Sequence, residues 1–130
     1  MADFSCYVQI VNKTNHPMNL NGAPVYKEGK YITSPPASIA PGATINFQIQ
    51  QVNSSSPGPE GSCEYSVTDQ HGRTGNITFS YTCLVKDTNA TDAVMTGYAE
   101  VKIQMIPNPL PQYGHPVNVQ FSILNKFHLA

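Results

Sequence analysis

Apolar side chains fall at every second position in six stretches of the chain: Cys6–Ile10, Ile45–Ile49, Cys63–Val67, Asn76–Tyr81, Ala99–Met105 and Val117–Ile123. A period of two belongs to a strand with one apolar and one wet face. Gly and Pro punctuate the intervals at Asn21-Gly22, Pro35-Pro36, Pro41-Gly42, Ser54 to Gly61, Gly72 and Pro107 to Pro116. No segment sustains a 3.6-residue period over three turns, so helices are not available to cover the apolar faces. Such strands are expected to pair antiparallel and to bury their apolar sides against a second sheet. The pattern predicts a single all-β domain over residues 1–130, an antiparallel β-sandwich of about seven to eight strands.

The connections can be read more finely. Asn21-Gly22 suits a two-residue type I′ hairpin turn, in which both central residues need positive φ. Asp69 to Gly72 reads as the tip joining the strand at Cys63–Val67 to the one at Asn76–Tyr81. Lys86 to Asp92 lacks periodicity and reads as a polar surface loop. Pro107, Pro109, Pro111 and Pro116 should hold the last connection extended, presenting Leu110 and Tyr113 outward.

Composition narrows the function classes. At 130 residues the chain is one domain's worth. Charged residues are only 12%, whereas Asn, Gln, Ser and Thr together number 39, so the surface must be mostly neutral and polar. Net charge is −1 and the seven Lys plus Arg are scattered, which offers no stripe for phosphates; a nucleic-acid partner is not expected. No apolar run approaches the roughly 18 residues of a membrane-spanning helix, and the start lacks a basic-then-apolar block, so a soluble chain without a secretion signal is expected. Cys6, Cys63 and Cys83 each lie on the apolar phase of a strand. Three buried free thiols are the simpler expectation, and one disulfide plus a leftover thiol is the alternative. Sequons at Asn12, Asn53, Asn76 and Asn89 decide nothing without a secretion signal.

Catalytic constellations are nearly absent: there is no Gly-x-Ser-x-Gly elbow, no phosphate-cradling glycine loop and no paired Cys motif for zinc. His16, His71 and His115 sit beside Pro or Gly in turns. Asp69 and His71 form the one carboxylate–imidazole candidate, on a hairpin tip ill suited to holding a triad rigid. Asp87 and Asp92 share a loop that lacks the Gly and bidentate Glu of a calcium site. No enzyme activity, metal or cofactor is expected. The informative residues are the seven tyrosines in a chain without tryptophan. Tyr7, Tyr26, Tyr31, Tyr98 and Tyr113 fall on polar phases or in loops, and a ring with one polar tip suits a sugar or a lipid headgroup boundary. Tyr113, Tyr26, Tyr31 and Tyr98 are the candidate ligand-binding residues.

The order of motifs resembles the actinoporin-like and aegerolysin-like group of small β-sandwich cytolysins. The residues that carry the likeness are Val8 to Thr14, then Pro36, Ile39, Pro41-Gly42 and Phe47, then Gly58 and Gly61 leading into Glu64 to Val67, then Ile77 to Tyr81. They cover roughly the first two thirds of the chain. The resemblance implies a rigid sandwich that recognises membrane lipid headgroups and, in some members, assembles into a homo-oligomeric pore. Actinoporin-like toxins carry an amphipathic segment ahead of the first strand, whereas only Met1 to Ser5 precede it here, which argues against a helical pore of that type. Some fungal fruit-body lectins share the actinoporin-like fold, so cell-surface glycans are the alternative partner, with a structural or storage role third.

One measurement checks the fold class directly. Circular dichroism should give a β spectrum with little helix, and a substantial helical signal would contradict the reading.

Overall fold

The computed structural model describes residues 5–52, 58–83, 89–107 and 116–126. Eleven strands are found among them: β1 (Ser5–Lys13), β2 (Met18–Asn19), β3 (Val25–Glu28), β4 (Lys30–Thr33), β5 (Ser38–Ile39), β6 (Thr44–Gln50), β7 (Glu60–Thr68), β8 (Thr74–Cys83), β9 (Asn89–Gly97), β10 (Val101–Ile106) and β11 (Val117–Asn125). They form a five-stranded sheet β10-β11-β1-β6-β4, a four-stranded sheet β3-β7-β8-β9 and a small β2-β5 ribbon. No helix occurs among the described residues, and the sandwich expected from alternation is the fold.

All six alternating stretches are strands. The strand count exceeds the expected seven to eight because β2 to β5 are two to four residues long, too short to show a period. Three local expectations need correction. Asn89 to Asp92, read as part of a loop, opens β9, an edge strand whose more buried positions Asn89, Thr91, Ala93 and Met95 mix polar and apolar residues and so gave no apolar alternation. The sheets are not wholly antiparallel: β1 and β11 run parallel, with Val8 opposite Val119 and Ile10 opposite Phe121. Asn21-Gly22 is not a type I′ hairpin. Only Gly22 has positive φ, and Asn21 is held instead by Glu64, through its N–H to the Glu64 carbonyl and its amide to the Glu64 carboxylate. The Asp69 to Gly72 tip between β7 and β8 is as expected. Leu110 falls outside the described residues.

The core lies between the two large sheets. Cys6, Val8, Ile10, Phe47, Ile49, Val119, Phe121 and Ile123 face Cys63, Tyr65, Val67, Ile77, Phe79 and Tyr81, all buried. Aromatic rings join the layers: Phe79 meets Phe121 at 5.2 Å between centroids and Phe47 meets Tyr81 at 5.4 Å, tilted as ring quadrupoles favour. The two tyrosines take their hydroxyls in with a partner each, Tyr65 donating to the Pro36 carbonyl and Tyr81 meeting Tyr31.

Buried polar groups fasten the open ends. Asn12 is wholly buried, donates to the carbonyls of His16 and Ile39, and accepts from the Thr14 N–H and hydroxyl. This uses its full amide capacity and excludes a glycan from that sequon. Asp69 plays the same part at the β7–β8 tip, accepting from the N–H groups of His71, Arg73 and Glu100.

The cysteines correct the expectation of three free thiols. Cys6 on β1 and Cys83 on β8 form a disulfide between the two large sheets, with Cα atoms 6.1 Å apart and a sequence separation of 77; Cys63 is free and buried. Both belong to the apolar phase, so alternation placed them in the core but could not show that they face each other. Closing a loop of this size removes on the order of 4.5 kcal/mol of unfolded-chain entropy, an upper figure for its contribution. The denatured, unreduced protein should therefore titrate one thiol and the reduced protein three. Reduction should lower stability by about 2 to 4 kcal/mol, read from the urea midpoint. Three thiols without reductant would rule the bond out.

Candidate functional site

The two sheets meet along one side at a single residue. β3 is the edge of the four-stranded sheet, pairing with β7, and β4 is the edge of the five-stranded sheet, pairing with β6. Only Gly29 separates them. Its φ is +92°, and a Cβ there would lie 2.7 Å from the Gln50 carbonyl oxygen, so both the conformation and the space demand glycine. The chain steps from one layer to the other within this corner.

The corner presents apolar side chains to solvent. Val25, Tyr26 and Ile32 within it, and Val52 just beyond the end of β6 that pairs with Lys30, are between 48% and 60% exposed. They are four of the seven large hydrophobic side chains exposed among the described residues. Lys27 and Lys30 are exposed between them, and the half-buried Glu28 and Glu60 stand opposite one another. The local charge is therefore balanced.

Tyr31 anchors this corner. It turns inward, half-buried, and its hydroxyl donates to the Val25 carbonyl at 2.7 Å while meeting the Tyr81 hydroxyl at 2.5 Å. Rings continue the path: Tyr26 lies edge-on to Tyr31 at 6.2 Å, Tyr31 to Tyr81 at 6.4 Å, and Tyr81 packs on Phe47. An aromatic chain thus runs from solvent at Tyr26 to the core. Gly61 makes the approach feasible, since a Cβ there would come within 2.6 Å of the Val25 oxygen and 2.9 Å of the Tyr31 hydroxyl. Burial pushes the Tyr31 hydroxyl up to about 12, and it raises Tyr81 further, with Cys63 and Tyr31 adding to the effect. Burial also pushes the Cys63 thiol up to about 12, which leaves it protonated and inert.

The four candidate tyrosines do not form one platform. Tyr26 is exposed at the corner, and Tyr31 beside it is a half-buried anchor rather than an exposed ring. Tyr98 is 85% exposed but lies at the other end of the sandwich: its N–H bonds the carbonyl of Thr74 on β8, whose β7 partner Thr68 lies seven residues, about 24 Å, beyond the Gly61 that pairs with Tyr26. Tyr113 falls outside the described residues. Val25, Ile32 and Val52 were not among the sequence candidates. The only signal they offered was a set of apolar residues without period around Lys27, Gly29 and Lys30.

Among the described residues the catalytic and metal candidates are not brought together as a site. The Asp69 carboxylate is taken by three backbone N–H groups; burial alone would raise its pKa, but these bonds and Arg73 hold it below the usual range. His71 is exposed, and it meets Asp69 through its backbone N–H. Arg73 pairs with Glu100. Asp92 lies exposed on β9, accepting from the Ala93 N–H, whereas Asp87 and His115 are outside the described residues. Among the described residues no three His, Cys, Asp or Glu side chains gather as a metal site, and no helix is long and apolar enough to cross a membrane.

No protein-family model matches the sequence, and no curated protein matches it. Solved structures do share the fold. The lipid binding protein Nakanori superposes with a TM-score of 0.71 at 12% identity, over 95% of this chain and 71% of Nakanori. IP-1A from Alcaligenes faecalis gives 0.66 at 14% identity, over 95% of this chain and 91% of IP-1A. RahU, solved in complex with a TRIS molecule, gives 0.67 at 13% identity, over 97% of each chain. At these identities the likeness establishes the fold.

The tyrosine anchor makes stability depend on alkaline pH. In the unfolded chain tyrosine ionises near pH 10. A folded value raised above that favours the neutral hydroxyl, so the contribution is complete below about pH 10 and is lost as pH rises through the Tyr31 value of about 12. The urea midpoint should fall over this interval. In Tyr31→Phe the fall should be shallower, and stability at pH 7 lower by about 1 kcal/mol for the lost hydroxyl contacts. An unchanged alkaline profile in that variant would contradict the anchor.

Proposed function

We propose that this protein is an aegerolysin-like, non-catalytic lipid-binding module that docks on membranes through the β3–β4 corner. The carrying observation is the exposed set Val25, Tyr26, Ile32 and Val52, held on a glycine turn and backed by the Tyr31–Tyr81 contact. Apolar side chains kept in water at a fixed corner cost free energy that burial at an acyl–headgroup boundary recovers, and a tyrosine has the amphipathic shape for that boundary. The likeness to Nakanori, a lipid binding protein, over 95% of this chain and 71% of that one supports the same reading.

Charge selects the kind of surface. With Lys27 and Lys30 balanced by Glu28 and Glu60, the corner has no polybasic character to draw it to anionic lipid. A zwitterionic headgroup layer is the fitting target. The Cys6–Cys83 disulfide accords with work outside the reducing cytosol, where membrane outer faces are found.

Liposome pelleting tests this. Wild-type protein should sediment with phosphatidylcholine-based vesicles of at least one composition, with little dependence on salt. Tyr26→Ser should weaken binding by roughly five- to tenfold, corresponding to about 1 to 1.5 kcal/mol of lost burial. Tyr26→Phe should retain it, and neither should shift the melting temperature by more than a few degrees. No sedimentation with any composition, or equal binding by Tyr26→Ser, would reject the corner as the docking site.

A further inference from the structure

The outer face of the five-stranded sheet carries side chains of an unusual uniformity. Strand register sets Gln120 of β11 beside Gln9 of β1 and Asn46 of β6, and in the adjacent row Asn118 beside Tyr7 and Gln48. Five of these six are carboxamides. Such a face needs no charge to stay wet, but it also offers an array in which every amide both donates and accepts.

This array is concave. A groove of about 500 Å³, inside the roughly 300 to 1,000 Å³ range of small-ligand sites, is lined by Tyr7, Gln9, Asn46, Asn118 and Gln120. One wall is apolar, made by the exposed Ile106 and by Pro107 at the end of β10. No lining residue is charged. The amides are already ordered: Gln9 Nε2 donates to Asn46 Oδ1 at 3.1 Å, and Gln48 Nε2 donates to the Ser5 hydroxyl at 3.0 Å and to the Tyr7 hydroxyl at 3.3 Å. The groove lies on paired strands, so it has no free ladder groups to receive an added strand.

We propose that this groove is a second binding site, separate from the β3–β4 corner, and that it takes a neutral sugar unit. A pyranose presents hydroxyls that donate and accept at once, which amides match without charge, and a C–H face that an aromatic ring or a proline–isoleucine wall covers. The absence of a cation among the lining residues disfavours phosphate, sulfate or carboxylate, and the absence of a carboxylate disfavours amines. The sugar has two sources, a soluble glycan or the headgroup of a neutral glycolipid. The inference stands independently of docking at the corner.

The test uses the full chain and two arms. In the first, galactose, glucose, mannose, N-acetylglucosamine and lactose are titrated against isotope-labelled protein. Side-chain amide signals of Gln9, Asn46, Asn118 and Gln120 should shift for at least one of them. In the second, binding to phosphatidylcholine vesicles is compared with and without glucosylceramide or galactosylceramide. Asn118→Ala and Gln120→Ala, both outward on β11, should each reduce the sugar-dependent signal at least fivefold while leaving the melting temperature and the binding to plain vesicles unchanged. Tyr26→Ser should leave the free-sugar titration unaltered, which separates this site from the corner. Sugar dependence in either arm that both β11 variants abolish establishes the groove and identifies the source. No sugar dependence in both arms, or dependence that survives both variants, overturns the proposal.

Discussion

Two sheets that are each apolar on one side have only each other for cover, and every other feature of this molecule follows from closing them together. The closure is made by rings and a bond that cross the interior: Phe79 on Phe121, Tyr81 on Phe47, and the Cys6–Cys83 disulfide joining the first strand to the eighth. Hydrophobic burial sets the layers face to face, but it is non-directional and does not by itself fix their relative position. Aromatic geometry and the covalent link supply that position. The polar knots at Asn12 and Asp69 then seal the ends, where strands stop and backbone groups would otherwise lack partners.

The same closure produces the candidate docking corner. A chain passing from one sheet edge to the other in one residue leaves little room for side chains to turn inward, and Tyr31 takes the inward place. Its neighbours Tyr26 and Ile32 are left outside, as is Val25, whose carbonyl binds the Tyr31 hydroxyl. The exposed apolar set is thus a structural consequence of how the sandwich closes, and Tyr31 ties it to the core. A rigid presentation matters energetically because little conformational entropy remains to be lost when the side chains meet a surface.

Much of this was legible in the residues. Strands buried on one face announced themselves by alternation, which is why β1, β6, β7, β8, β10 and β11 could be read directly. Strands at the edges could not. β9 alternates in exposure, but polar and apolar side chains share both of its faces, and β3 and β4 are too short for a period to register. The disulfide was hidden for a related reason: phase shows that Cys6, Cys63 and Cys83 point inward, but that Cys6 meets Cys83 across a sequence separation of 77 depends on how the two sheets pack. Among the candidate tyrosines, composition singled out a residue type by its amphipathic shape. It could not show that Tyr31 points into the core while Tyr98 stands at the opposite end, because both facts belong to topology. The amide groove shows the same limit, since Gln9, Asn46, Asn118 and Gln120 become neighbours only when β1 pairs parallel with β11 on one side and antiparallel with β6 on the other.

The central claim is that the β3–β4 corner is the part of this molecule that meets lipid. Paramagnetic relaxation measured by NMR on the protein bound to phosphatidylcholine nanodiscs with gadolinium-chelating headgroups tests it most directly. Broadening concentrated at Val25 to Thr33 and at Val52, with Tyr98 and the Asp69 tip unaffected, is the predicted result. Broadening centred on Tyr98 and the Asp69 tip, or spread evenly over both ends of the sandwich, would contradict the account.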